Sequence, residues 1–277
     1  MALNLIPPGK PQKNGYVERF NRSFREDILD CYLFDSLDEV RPVSRGPKAS
    51  RYQFQSPAFW NGRYATADFV VPYTKSACNV NSDLMLILQD WNSADELAGP
   101  LDHHQEKTGQ SRGFSTNTRI RRLLKEYFGL KFCDTYATDV MPYAKPGRRR
   151  HLVNQNFMRV CAREFTAVEI SIVQPSLAIC FGAKTFDAVG HAFQTPVTST
   201  RSGCASFTIT HQENEKITQI IHLRHPQAFA TAEERASEWR EAADVYALRS
   251  GIRQRNSGSI CLLQKEGTCR AQCQDVA

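Results

Sequence analysis

The chain has 277 residues, 41% of them hydrophobic and 23% charged, with 15 glycines, 13 prolines and a formal charge of +6 at pH 7. These proportions exclude collagen-like, coiled-coil and wholly disordered chains, and they leave enough apolar mass for one large core or two small ones. No apolar run reaches the roughly 18 residues of a membrane span, and Met1 to Lys13 holds Pro7, Pro8 and Pro11 in place of an apolar signal core. A protein without membrane association, located in the cytoplasm, is expected.

In chain order, Asn14 to Val40 predicts a helix and a second short amphipathic one. Tyr16, Phe20, Phe24, Ile28 and Leu29 lie at helical spacing, and Ser36 can cap Leu37 to Val40. Arg41 to Ala49 (RPVSRGPKA) has linker composition. Met1 to Arg41 contains six Lys or Arg against seven Asp or Glu, so the positive excess belongs to the rest of the chain.

Beyond the linker the pattern is that of an α/β protein. Buried-strand runs are read at Asp83 to Gln89, Phe132 to Val140, Leu177 to Phe181, Phe207 to Thr210 and Ile217 to Leu223. Helices are read at Asn117 to Tyr127, Val153 to Ile172, Ala183 to Val189 and Ala232 to Leu248, with Asp90 to Gln110 as a polar loop. This alternation predicts a three-layer α/β/α fold with a mostly parallel central sheet, preceded by a short helical appendage. The expected divisions are 1–41, the helical appendage; 42–49, the linker; 50–250, the α/β domain; and 251–277, a flexible tail.

Nine cysteines from Cys31 to Cys273 do not form a disulfide framework, so reduced thiols are expected. Cys261, Cys269 and Cys273 cluster in the tail without completing a zinc-ribbon spacing. No metal and no organic cofactor is expected.

Ligands of open α/β sheets bind at the carboxyl ends of strands. Three predicted strand ends carry ionisable residues: Gln89-Asp90-Trp91-Asn92, Asp139-Val140-Met141 and Arg224-His225-Pro226-Gln227. Two carboxylates and a histidine at one sheet edge suit a reaction that separates charge, such as glycosidic cleavage. Each residue also has a plainer reading. Asp90 can be a turn cap, Phe114 can be core, and Arg148, Arg149 and Arg150 can be a solvated face.

Two resemblances add to this reading. Pro8 to Arg41, with its NGYVERFN stretch, is similar to the C-terminal part of the integrase-like catalytic domain of insertion-sequence transposases, which implies that Glu18 is that domain's last metal-binding carboxylate. The two partner aspartates would precede Met1, so the expectation here is a remnant without a metal site. LMLILQDW (Leu84 to Trp91), ATDVMPYAKPG (Ala137 to Gly147), QPSLAICFGAKTF (Gln174 to Phe186) and LRHPQAF (Leu223 to Phe229) resemble, in order, motifs of the uracil-DNA glycosylase superfamily.

That second resemblance implies a monofunctional DNA glycosylase acting on DNA, duplex or single-stranded, with a flipped-out base, as a monomer. It assigns Asp90 and His225 to catalysis and Gln89, Trp91, Phe114 and Asp139 to the base. It places Arg148, Arg149, Arg150, Pro226, Gln227 and Phe229 against DNA, with Lys145, Arg119, Arg121 and Arg122 as further candidate phosphate contacts. Asp139, where uracil-reading members carry Asn, implies a modified cytosine as substrate, and with it a role in antiviral defence. The alternatives are a uracil or mismatch repair glycosylase and a catalytically silent DNA-binding relative.

Overall fold

A computed structural model describes residues 71–251, apart from Arg112, Phe114, Pro146, 148–152 and 196–204. The chain divides into two units, Met1–Phe54 and Gln55–Ala277, and every described residue belongs to the second. The expected N-terminal helices, the linker and the tail beyond Gly251 lie outside the described residues.

The described residues form an α/β fold around a mixed five-stranded sheet. The strands are β1 (Leu84–Asp90), β2 (Tyr136–Met141), β3 (Leu177–Phe181), β4 (Ser206–Thr210) and β5 (Ile217–Leu223), in the spatial order β2-β1-β3-β5-β4. β2, β1, β3 and β5 are parallel, and β4 pairs antiparallel with β5 at one edge. β1 and β3 are nearly continuous apolar runs because both their faces are covered.

The helices are α1 (Ala94–Leu97), α2 (His103–Thr108), α3 (Ser115–Leu123), α4 (Gln155–Cys161), α5 (Ala167–Val173), α6 (Ala183–Ala192) and α7 (Ala232–Arg249). One π-helical turn, Leu124–Phe128, prolongs α3, and another, Ala162–Thr166, joins α4 to α5. The interval Asp90 to Gln110 is thus not the plain polar loop expected: it contains α1 and α2. Asp102 caps α2 by accepting from the backbone N–H groups of His104 and Gln105, and Gly109 ends it at φ 71°.

Side chains alternate across the sheet, so residues two apart share a face. Leu84, Leu86 and Leu88 of β1, Leu177, Ile179 and Phe181 of β3, and Ile221 and Leu223 of β5 form one core with Trp239 and Ala242 of α7 and Ile120 and Leu123 of α3. Trp239 stacks on Phe181 with ring centroids 6.0 Å apart and meets Phe128 edge-on at 6.0 Å. On the other face, β2 and β3 pack against α4, the second π turn and α6. This places helices on both sides of the sheet.

The chain leaves β1 toward β2 on one side and toward β3 on the other, so the strand order reverses beside β1. Open sheets form a crevice at such a reversal, beyond the carboxyl ends of the strands. Gly182, at φ 96°, turns the chain sharply after β3, and its N–H donates to Leu223 O at 2.8 Å, tying the end of β3 to the end of β5.

Candidate functional site

Asp90 ends β1 and Asp139 lies two residues inside the end of β2. The register pairs Leu88 with Asp139 and Asp90 with Met141, so both carboxyl groups leave the same face of the sheet. Their environments differ. Asp90 Oδ1 is 2.9 Å from Lys145 Nζ, in a pair whose side chains are only 10% and 5% exposed, and Gln89 Nε2 donates to Asp90 Oδ2 at 2.6 Å.

The backbone brings Lys145 to that position. Lys145 N–H donates to Asn92 O at 3.1 Å, Ala94 N–H donates to Lys145 O at 2.8 Å, and Asp95 N–H donates to Gly147 O at 3.2 Å. The segments after β1 and β2 are thereby zipped together, and the ion pair closes the zipper from the side-chain side.

Asp139 is fully buried, and among the described residues neither carboxyl oxygen has a hydrogen-bond partner. Burial, followed by the charges of Asp90 and Glu169, pushes its carboxyl well above the usual carboxylate range. Burial and the two neighbouring carboxylates thus favour the protonated form of Asp139. Glu169 of α5 accepts hydrogen bonds from Tyr136 Oη and Thr138 Oγ1, each at 2.9 Å. Burial raises Glu169 to about 8 despite these two donors, which act in the opposite direction.

His225 follows β5. Ala228 N–H donates to His225 O at 2.7 Å, and Gln227 N–H donates to His225 Nδ1 at 3.2 Å. With Nδ1 accepting, the proton of the neutral ring is on Nε2. Desolvation lowers the pKa of His225, Asp90 opposes that, and Arg119 and Arg235 add to it. Asp90, His225 and two guanidinium groups thus share one electrostatic neighbourhood at the carboxyl edge.

The turn after His225 is held from two helices. Arg119 of α3 donates to Pro226 O, Arg235 of α7 donates to Ala228 O at 3.0 Å, and Gln227 Nε2 donates to Ser115 Oγ at 2.5 Å. Arg224 pairs with Glu238 at 2.8 Å and with Glu234 at 3.3 Å. Glu234 also completes the capping box with Thr231 that starts α7. At the end of this fixed turn Phe229 is fully exposed.

Among the expected site residues, the structure brings Gln89, Asp90 and His225 to one edge and places Pro226, Gln227 and Phe229 on the adjoining turn. Trp91 turns inward: it is buried in the core, and its Nε1 donates to Gly109 O at 2.9 Å. Asp139 is enclosed as described above. Phe114, Arg148, Arg149 and Arg150 lie outside the described residues. Glu169 and Arg235 went unnoticed in the sequence, and Lys145, read there as a candidate phosphate contact, is instead paired with Asp90. Their neighbours are 33, 7 and 55 positions away along the chain.

Among the described residues no group of three His, Cys, Asp or Glu side chains is arranged to hold a metal ion, and no helix is long and apolar enough to cross a membrane.

Comparison with known proteins finds likenesses over part of the chain. Residues 1–44 match the integrase core domain. The chain is 35% identical over 75 residues to an uncharacterized 39.2 kDa protein of insertion element IS476 from Xanthomonas euvesicatoria, a match covering 27% of this chain and 21% of that protein. It is 42% identical over 43 residues to an uncharacterized 31.7 kDa protein of insertion element IS407 from Burkholderia multivorans, covering 16% of each. The chain thus spans about a fifth of the length of the first relative and about a sixth of the second.

These matches overturn the uracil-DNA glycosylase expectation. They relate the chain to an integrase core and to insertion-element proteins, so base excision, the modified-cytosine substrate and antiviral defence are withdrawn, as are the repair-glycosylase and silent-relative alternatives. The physical reason lies in the motifs. An apolar strand followed by a polar residue and a turn is what any open parallel sheet produces at its carboxyl edge. Four such strand ends in order report the fold class, not a reaction.

Proposed function

We propose that this chain is a DNA-binding protein of insertion-element descent. The observation that carries the reading is the match of residues 1–44 to the integrase core domain, because integrase cores work on DNA. The charge distribution supports it: the net charge is +6 and the excess falls outside the first 41 residues.

On this reading the carboxyl edge of the sheet faces the nucleic acid. Pro226, Gln227 and Phe229 lie on the turn that meets it, Arg148, Arg149 and Arg150 contact its phosphates, and Gln89, Asp90 and His225 form the polar floor beside it.

The test is fluorescence anisotropy of a labelled 25-base-pair duplex titrated with the full chain at several potassium chloride concentrations. The expected result is micromolar or tighter binding in low salt that weakens steeply as salt rises, because bound cations are released from the duplex when basic side chains replace them. Absence of binding at 50 mM salt, or an affinity indifferent to salt, overturns the proposal.

A further inference from the structure

Around the turn 225–229 the charges do not balance. Arg119, Arg122, Arg224 and Arg235 act on one another's neighbourhood, and the acidic groups facing them are Glu234 and Glu238. Both glutamates pair with Arg224. Asp90, whose charge acts on His225, is paired with Lys145, and burial holds His225 toward its neutral form. Among the described residues Arg119, Arg122 and Arg235 form no ion pair, although the charge of Glu238 acts on Arg235 as well as on Arg224.

Two of these three guanidinium groups are fixed in place. Arg119 and Arg235 each use an N–H on a carbonyl of the same turn, Pro226 O and Ala228 O, which holds their planes at the turn from opposite helices. A guanidinium has five N–H donors, so each retains donors for a further acceptor. Arg122, one position before Leu123 on α3, is exposed and adds its charge to the same neighbourhood. Arginines brought together repel one another, and an anion that enters among them relieves that repulsion while filling the free donors.

We propose that Arg119, Arg122 and Arg235 around the 225–229 turn form a phosphate clamp that grips the sugar-phosphate backbone of DNA. This rests on the DNA-binding reading and adds where the backbone is held and by which groups. The planar forks of Arg119 and Arg235 suit bidentate contact with phosphate oxygens, and the turn between them sets the spacing of the two forks. The clamp reads phosphate and sugar rather than base edges, so it positions the duplex without selecting sequence.

The experiment compares the full-length protein with Arg122→Gln, Arg122→Gln/Arg235→Gln and the distant control Arg163→Gln, each titrated against the same labelled duplex over a salt series. Arg122 has no hydrogen bond to the turn among the described residues, so its replacement tests charge without disturbing backbone, and thermal melting checks the fold of the double variant. The logarithmic salt dependence is expected to become shallower by about one for Arg122→Gln and by about two for the double variant, with Arg163→Gln unchanged. Titration with inorganic phosphate in place of DNA separates the two sources of the anion. Weak, millimolar competition is expected for the backbone clamp, and competition by phosphate at the concentration of bound duplex overturns it in favour of a free-phosphate site. If wild type binds the duplex and the folded double variant keeps the wild-type slope, the clamp is overturned while the DNA-binding reading stands. If wild type binds no duplex, the DNA-binding reading itself falls and the clamp with it.

Discussion

Lys145→Met is expected to lower stability by about 3–5 kcal/mol, because deleting one member of a buried ion pair leaves the other charge uncompensated. Among the described residues Asp90 would keep the hydrogen bond from Gln89 Nε2, in a place where its side chain is 10% exposed. The methionine preserves most of the lysine's apolar stem, so the loss reports the charge more than the packing. Asp90→Asn added to Lys145→Met removes the stranded carboxylate and is expected to restore a large part of the loss. Urea unfolding of the single and double variants at pH 7 measures both. A loss below about 1 kcal/mol in the single variant would show that water reaches Asp90 freely and that the zipper of the two loops does not depend on the pair.

The second large effect concerns the buried acids. An unfolded glutamate releases its proton near 4.5, whereas Glu169 in the folded protein keeps its proton up to about 8, and Asp139 is shifted in the same direction. Between those limits the folded state binds more protons than the unfolded one, so stability is greatest at the acid end and is lost as pH rises. One such group contributes a slope of up to about 1.4 kcal/mol per pH unit. His211, His222 and His225 are all lowered from 6.5 by burial and work in the opposite sense, but only below that value. The window from pH 7 to 8 therefore isolates the acids.

In that window the urea midpoint of wild type is expected to fall, and Glu169→Gln is expected to flatten the fall. The amide can still accept from one of Tyr136 and Thr138 and donate to the other, since both hydroxyls can also accept. Asp139→Asn should flatten the dependence as well. Parallel declines in wild type and both variants would show that these carboxyl groups titrate alike in the folded and unfolded states.

Much of the sheet was legible because β1 and β3 are apolar on both faces and β5 is apolar over most of its length. The runs at Leu177 to Phe181 and Ile217 to Leu223 coincide with β3 and β5, and Ala232 to Leu248 falls within α7, whose Thr231 and Glu234 form a capping box. The loop after β1 was less legible, since α1 has only four residues and no side-chain cap at Ser93. The π-helical turns were invisible: each adds a residue to a helical turn without changing which residue types occur.

The candidate site was legible only in part. That Asp90 and His225 share a sheet edge follows from both ending parallel strands. That Asp139 is enclosed does not, because β2 continues two residues past it to Met141 beneath covering layers. The pairing of Asp90 with Lys145 depends on β1 and β2 being neighbours, and periodicity along one strand says nothing about strand order. Arg235 converges on the 225–229 turn because of how α7 packs against Phe181 and Phe128 through Trp239, a tertiary fact with no local signature. The glycosylase resemblance was drawn from features that the fold class itself supplies, whereas the integrase resemblance rested on one contiguous stretch that residues 1–44 match.

The central claim is that DNA is held at the carboxyl edge of the sheet, and amide hydrogen exchange on the full chain with and without a 25-base-pair duplex tests it most directly. The account predicts that DNA slows exchange in 224–230 and in the first turns of α3 and α7, which flank the turn. Protection elsewhere, with these segments exchanging at their free rates in a saturated complex, would contradict it.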